Sequence, residues 1–370
     1  LPDLRSSAFI RGIFSCCFSL LCGALPASSR SADEPGRFRG ALLTAEMATA
    51  ERLAELKNER FADIALLLGE PSEAAARADS AAAERIAAAG LRLHYWIEVG
   101  RCPALADEHP EWMASLQGHQ EWRRFHPDFP QPKASEVVKC YPWTPVLYRE
   151  AFAAHLQRIE RLLADRPRPA SLLLNDLQGP PTACGCGNPV CRWTADYGPI
   201  KTATIEGDDA AARFVAKVEA IAGDKIPVIP IWTTECEEHD VAQDALCAGV
   251  GCFKGICWKA YTRQLKPLAD QSPTIGALLL YKEFGQDTKA YREPAGWIGH
   301  ALRGFATMPP KHGGKAVEPQ RLIAVVQGWD VTPQDVAAQR GQVETAGAAG
   351  FLVAFAKIDQ SWTPKLHKWR

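Results

Sequence analysis

Ser171-Leu172-Leu173-Leu174-Asn175-Asp176-Leu177 is the stretch on which the fold turns. Its aliphatic residues occupy successive positions and do not alternate with polar ones. A strand with one face in water alternates. A run apolar on both sides belongs to a strand covered on both faces, as in a parallel sheet under helices. Seven other runs have this character, at 37–45, 62–69, 91–99, 226–234, 275–283, 321–329 and 350–358. Between them lie Ala-rich amphipathic segments, predicted as helices near 47–60, 72–89, 145–165, 208–222, 257–270, 294–307 and 332–348. Pro71-Ser72, Thr144-Pro145, Asp208-Asp209 and Thr332-Pro333 supply start signals, and Gly90 and Gly350 stand where a helix should stop before a strand.

Eight strands with intervening helices predict an α/β fold, a single (β/α)8 TIM-type barrel. The 370 residues fit one such domain. A doubly wound open sheet is the alternative. It usually carries a Gly-rich phosphate turn after its first strand, where this chain has Thr44-Ala45-Glu46. Turns before strands are short, whereas the connections at 100–144, 178–207 and 235–256 are long. These follow strands, so they gather on the face where barrels of this kind carry their chemistry.

The N-terminal stretch reads as a secretory signal peptide over 1–29, with the barrel domain over 30–370. Arg5 and Arg11 flank the uncharged run Gly12–Leu25, and Ala27 and Ser29 fit a cleavage site. Export to the periplasm or outside the cell is the expectation. Lys and Arg number 42 against 43 Asp and Glu, for a net charge of -1. That balance favours neither nucleic acid nor, once the signal is removed, a membrane.

Of twelve cysteines, Cys16, Cys17 and Cys22 fall in the leader. The others are Cys102, Cys140, Cys184, Cys186, Cys191, Cys236, Cys247, Cys252 and Cys257, all in or beside the three long connections. In an oxidising compartment, disulfides that stiffen these loops are the first reading. The alternative uses Cys184, Cys186, Cys191, Cys236, Cys247, Cys252 and Cys257 as thiolate ligands of zinc or an iron–sulfur cluster, although no C-x-x-C pair is present. No other cofactor is expected.

Acidic residues sit at several strand ends. Asp176 closes the fourth predicted strand and Glu235 the fifth, with Glu98 after the third and Glu283 after the sixth. Cleaving a glycosidic bond takes two carboxyl groups flanking it, and neighbouring strand ends of a barrel can supply them. Asp176 and Glu235 are therefore the candidate catalytic pair. Glu98, Asn175, Glu283 and Gln327 are candidates for holding substrate. Trp is abundant at 11 residues. Trp96, Trp112 and Trp232 fall near the same face, where rings stack on the apolar side of a sugar. A carbohydrate is the expected ligand.

His109-Pro110-Glu111-Trp112-Met113, the strand end at Asp176 and Val326-Gln327-Gly328-Trp329 resemble segments of glycoside-hydrolase-like barrels related to the alpha-amylase and alpha-galactosidase superfamily. The resemblance implies Asp176 as nucleophile and, following the amylase branch, Glu235 as acid/base. The chain departs from that pattern at Leu174, where amylase-like enzymes carry Arg, and at Glu283, where the galactosidase-like branch has Asp. The other large barrel clan pairs an Asn-Glu with a Glu on strand seven; the corresponding places read Asn175-Asp176 and Gln327. Two further expectations stand beside a hydrolase: a non-catalytic carbohydrate-binding barrel, and a metal or iron–sulfur protein built on the cysteine loops.

Overall fold

The computed structural model describes residues 37–113, 133, 136–146, 149–177, 209–223, 225–233, 261–282, 296–311, 314–359 and 363–368. All lie in one compact unit, Arg37–Arg370. Eight parallel strands form a closed barrel. They are β1 (Phe38–Leu43), β2 (Asp63–Leu67), β3 (Arg92–Glu98), β5 (Ser171–Asn175), β6 (Val228–Thr233), β7 (Ile275–Leu279), β8 (Leu322–Gln327) and β9 (Gly350–Ala354). Each lies within one of the eight apolar runs. The ring closes where β9 pairs with β1, with Leu352 opposite Gly40.

Helices follow the strands in the expected alternation. They are α1 (Ala50–Asn58), α2 (Glu73–Ala88), α3 (Pro103–Glu108), α4 (Arg149–Ala164), α5 (Ala210–Ala222), α6 (Tyr261–Gln271), α7 (Gly296–Lys311) and α8 (Pro333–Thr345). Local chemistry explains several starts. The Ser72 hydroxyl accepts from the Ala75 amide at the head of α2. Thr332 and Asp335 form a reciprocal capping box on α8. Asp209 stands at the cap position of α5 without capping it and pairs with Arg213 at 3.1 Å.

Gly350 does not end a helix, as its position had suggested. Gly347 does so two residues after α8, with a left-handed φ of 73°. Gly350 belongs to β9, where an added Cβ would run into the Phe38 carbonyl. Its lack of a side chain serves barrel closure.

The structure also holds a two-stranded antiparallel sheet that the hydrophobic pattern does not signal. β4 (Glu136–Tyr141) lies in the long connection after β3, and β10 (Thr363–Lys368) near the C-terminus pairs with it from Thr363↔Tyr141 to Lys368↔Glu136. β10 is mostly exposed and carries two lysines and a histidine, so no apolar run marks it.

Side chains alternate across the barrel wall. The Tyr95 hydroxyl reaches outward to the Pro167 carbonyl at 2.7 Å. Phe351 lies under the guanidinium of Arg340 on α8, 4.7 Å away. Both residues face the helix layer. The opposite set faces the barrel interior and includes His94, Trp96 and Glu98 on β3, Ser171, Leu173 and Asn175 on β5, and Gln327 on β8.

At the N-terminal end of that interior, Asp63, His94 and Ser171 form a buried chain. Asp63 meets His94 Nε2 at 2.9 Å, and His94 Nδ1 meets the Ser171 hydroxyl at 2.7 Å. Arg92 closes it from outside at 2.7 Å from Asp63. All three members are at least nine-tenths buried, so this end of the barrel is plugged by satisfied polar groups.

Candidate active site

The C-terminal mouth is built by the ends of β3 and β5. Their ladder continues past the strands: the Val99 amide donates to the Asn175 carbonyl and the Gly100 amide to the Asp176 carbonyl, both at 3.0 Å. The two chain ends therefore leave the wall side by side. A Cβ on residue 100 would collide with the Asp176 carbonyl, so only glycine permits this approach. Asp176 takes a left-handed φ of 59° and is 1 % exposed. Short polar side chains tolerate that conformation best among non-glycine residues.

Glu98 and Asn175 are register partners on the interior side. The Asn175 side-chain amide donates to both carboxylate oxygens of Glu98, at 3.2 and 3.0 Å. The Trp96 indole donates to the same carboxylate at 2.6 Å. Trp96 and Asn175 are fully buried, whereas Glu98 is half-buried. The carboxylate is thus fixed from below and from one side, with its remaining acceptor capacity toward the mouth.

Arg158 of α4 supports this arrangement from behind. Its guanidinium donates to the Glu98 carbonyl at 2.9 Å and to the Glu70 carboxylate at 3.1 and 3.4 Å. The Cys102 thiol donates to Glu70 at 3.6 Å. Burial is the largest influence on this thiol and raises its pKa, which opposes thiolate chemistry. Thr44, Glu46, Glu70, Glu98, Arg101 and Arg158 are among the residues around a cavity of about 380 Å³ at the ends of β1, β2 and β3. Arg101 is ion-paired to Asp359 beyond β9, which ties the loop after β3 to the segment leading into β10.

Beyond these residues, the structure disposes the predicted positions differently. Trp232 shares its side of the wall with Ala277, Ala324 and Phe351, faces the helices, and is 1 % exposed. Trp112 ends a 3-10 turn (Pro110–Trp112) and stacks on the His109 ring at 3.6 Å between centroids. Gln327 stands at the end of β8, four strands around the barrel from β3. Its amide donates to the Trp329 carbonyl at 3.1 Å, and its backbone is held by the Gln339 side chain of α8.

Glu235, Glu283, Cys184, Cys186, Cys191, Cys236, Cys247, Cys252 and Cys257 lie outside the described residues. Among the described residues, no group of three or more His, Cys, Asp or Glu side chains could hold a metal ion. Among them too, no helix is long and apolar enough to cross a membrane.

No protein-family model matches this chain, and no curated protein does. Three solved structures illustrate what the chain is similar to at low identity. One is GH5_18 from Streptomyces cattleya in complex with GlcNAc, 11% identical over 86% of this chain and 70% of that chain, with a TM-score of 0.43. Another is the apo structure of a beta-glucosidase, 1317, 10% identical over 84% and 77%, with a TM-score of 0.47. A third is the HpcH/HpaI aldolase from Desulfitobacterium hafniense DCB-2, 11% identical over 86% of each chain, with a TM-score of 0.34. Names that range from a glucosidase to an aldolase assign no chemistry to this barrel.

Sequence reading missed Arg158, Glu70 and Lys139. Arg158 and Glu70 belong to a helix and a loop whose meeting point only the barrel fixes. Lys139 does carry a signal, as a cation among the apolar residues Val137, Val138 and Cys140. It is fully buried, and its ammonium donates to the Glu111 and Met113 carbonyls at 2.9 and 2.8 Å. Burial brings its pKa down to about 7. It clamps the His109–Met113 segment to β4 and does not face the mouth as a reagent.

Proposed function

We propose that this chain is an exported, carbohydrate-acting barrel that cleaves a glycosidic bond at the mouth formed by β3 and β5. Asp176 serves as nucleophile or general base, and Glu235 as general acid. Glu98 and Asn175 hold the sugar, with Trp96 beneath them. Residues 1–29 are removed on export, and the cysteine-rich loops are cross-linked by disulfides.

The observation that carries this reading is the anchored carboxylate of Glu98. It is gripped by Trp96 and Asn175, and Asn175 adjoins Asp176 in the chain. A carboxylate fixed in this way, half-open to solvent at the C-terminal end of a barrel, is equipped to accept hydrogen bonds from sugar hydroxyls. Glycoside hydrolysis additionally needs an acid and a nucleophile or base on opposite sides of the bond. The chain offers Asp176 directly after β5 and, two residues beyond β6 in the sequence, Glu235.

A second reading, a barrel that binds carbohydrate without cleaving it, draws on Gln327. The seventh barrel strand ends in a neutral amide already bonded to the Trp329 carbonyl, so it brings no carboxyl group to the mouth.

One experiment separates the two. The wild-type chain and Asp176→Asn are assayed for reducing-end release from a panel of polysaccharides, and for binding to the same panel. Under the hydrolase reading, turnover falls on the order of 10²–10⁴-fold in the variant while binding persists. Undiminished turnover removes Asp176 from the chemistry. Binding without product from either protein selects the second reading.

A further inference from the structure

We propose that the sugar taken at this mouth carries a free amine, whose ammonium is held between Glu98 and Asn175; the proposal rests on the carbohydrate reading above. Among the described residues, no cation meets the Glu98 carboxylate. Its partners are the neutral donors of Trp96 and Asn175. The nearest guanidinium, that of Arg158, is engaged with the Glu98 backbone carbonyl and with Glu70. Arg101, the other arginine of the adjoining cavity, is committed to Asp359. Among the described residues, both arginines of this cavity are therefore used internally, and Glu46 adds a further carboxylate to its wall.

An independent observation concerns Asn175. Its nitrogen donates to Glu98, and its Oδ1 is buried with no hydrogen-bond donor. Asn175 is fully buried. A buried acceptor left without a donor is unfavourable unless a ligand supplies one. A carboxylate without a cation and an acceptor without a donor thus lie on paired residues of adjacent strands. An ammonium carries three N–H donors and a positive charge, and satisfies both at once. A sugar hydroxyl supplies a donor but leaves the charge uncompensated. An acidic sugar is repelled.

The test uses the full chain and calorimetric titration at low ionic strength. The probes are oligosaccharides of glucosamine, the same oligosaccharides fully N-acetylated, and neutral glucose oligomers. The free-amine probe is expected to bind about tenfold or more tightly than either counterpart, as a charge-assisted hydrogen bond implies. That preference should shrink as salt is raised, and should disappear in Glu98→Gln. Salt dependence is read on the unaltered protein, so the test survives if the variant fails to fold. Equal binding of amine and neutral probes, or a preference indifferent to salt, overturns the inference and leaves the carbohydrate reading intact. Binding of none of the three probes, with uptake of other glycans, also overturns it. Failure to bind any glycan removes the carbohydrate reading itself.

Discussion

Asn175 holds both oxygens of the Glu98 carboxylate through one side-chain nitrogen, across a separation of 77 residues in the chain. The contact locks the ends of β3 and β5 together at the level where the ladder opens into the mouth. Asn175→Asp would set two carboxylates at hydrogen-bond distance. They cannot both ionise there, so one pKa must rise. The variant is expected to melt below the wild type at pH 7 and to recover part of the loss near pH 5, where one of the pair is protonated. Thermal melts at the two pH values check this; an unchanged difference between variant and wild type shows that the pair is not coupled.

Asp63 anchors the opposite end of the barrel. Burial acts against its ionisation, but the His94 hydrogen bond, the Arg39 amide and the charges of His94 and Arg92 outweigh it, and its pKa lies below the usual Asp value. A folded-state pKa below the unfolded one stabilises the protein above the unfolded value of about 3.9, and the contribution is lost as pH falls through the folded pKa. Asp63→Asn should cost about 3–5 kcal/mol near neutrality, as expected when one partner leaves a buried charged network. It should also flatten the acid limb of stability below about pH 4. Urea titrations between pH 3 and 7 measure both effects.

Lys139 shifts the other way. Burial lowers its amine to about pKa 7, while in the unfolded chain it stays protonated to about 10.4. Between these values the unfolded state binds more protons, so stability rises with pH across that window. Lys139→Met removes this slope. It also removes the clamp on Glu111 and Met113, which should loosen the His109–Met113 segment. Hydrogen exchange of that segment, with melts between pH 7 and 10, reports the two consequences separately.

Gly100→Ala tests the close approach of the two strand ends. The added methyl meets the Asp176 carbonyl, and the backbone must shift to admit it. A loss of about 1–3 kcal/mol is expected. Any glycan turnover should fall with it, because the shift moves Asp176. Normal turnover at reduced stability would detach Asp176 from the reaction.

The barrel was legible from the chain because parallel strands covered on both faces must be apolar at successive positions, and all eight runs carried that mark. Helix starts at Ser72 and Thr332 were equally legible, since a cap is a contact between near neighbours. Asp176, Glu98 and Asn175 could be named as strand-end residues. That Asn175 would grip Glu98, that Trp232 would face the helices, and that Gln327 would be spent on Trp329 followed from strand register and wall alternation. A slip of one residue reverses these. The pairing of β10 with β4, and of Arg158 with Glu70, joins segments far apart in sequence with no local pattern to announce them. What the sequence determined by itself is the set of short-range preferences and the burial of each strand. The tertiary structure alone decided which polar groups meet at the mouth, because closing the barrel sets all eight registers together.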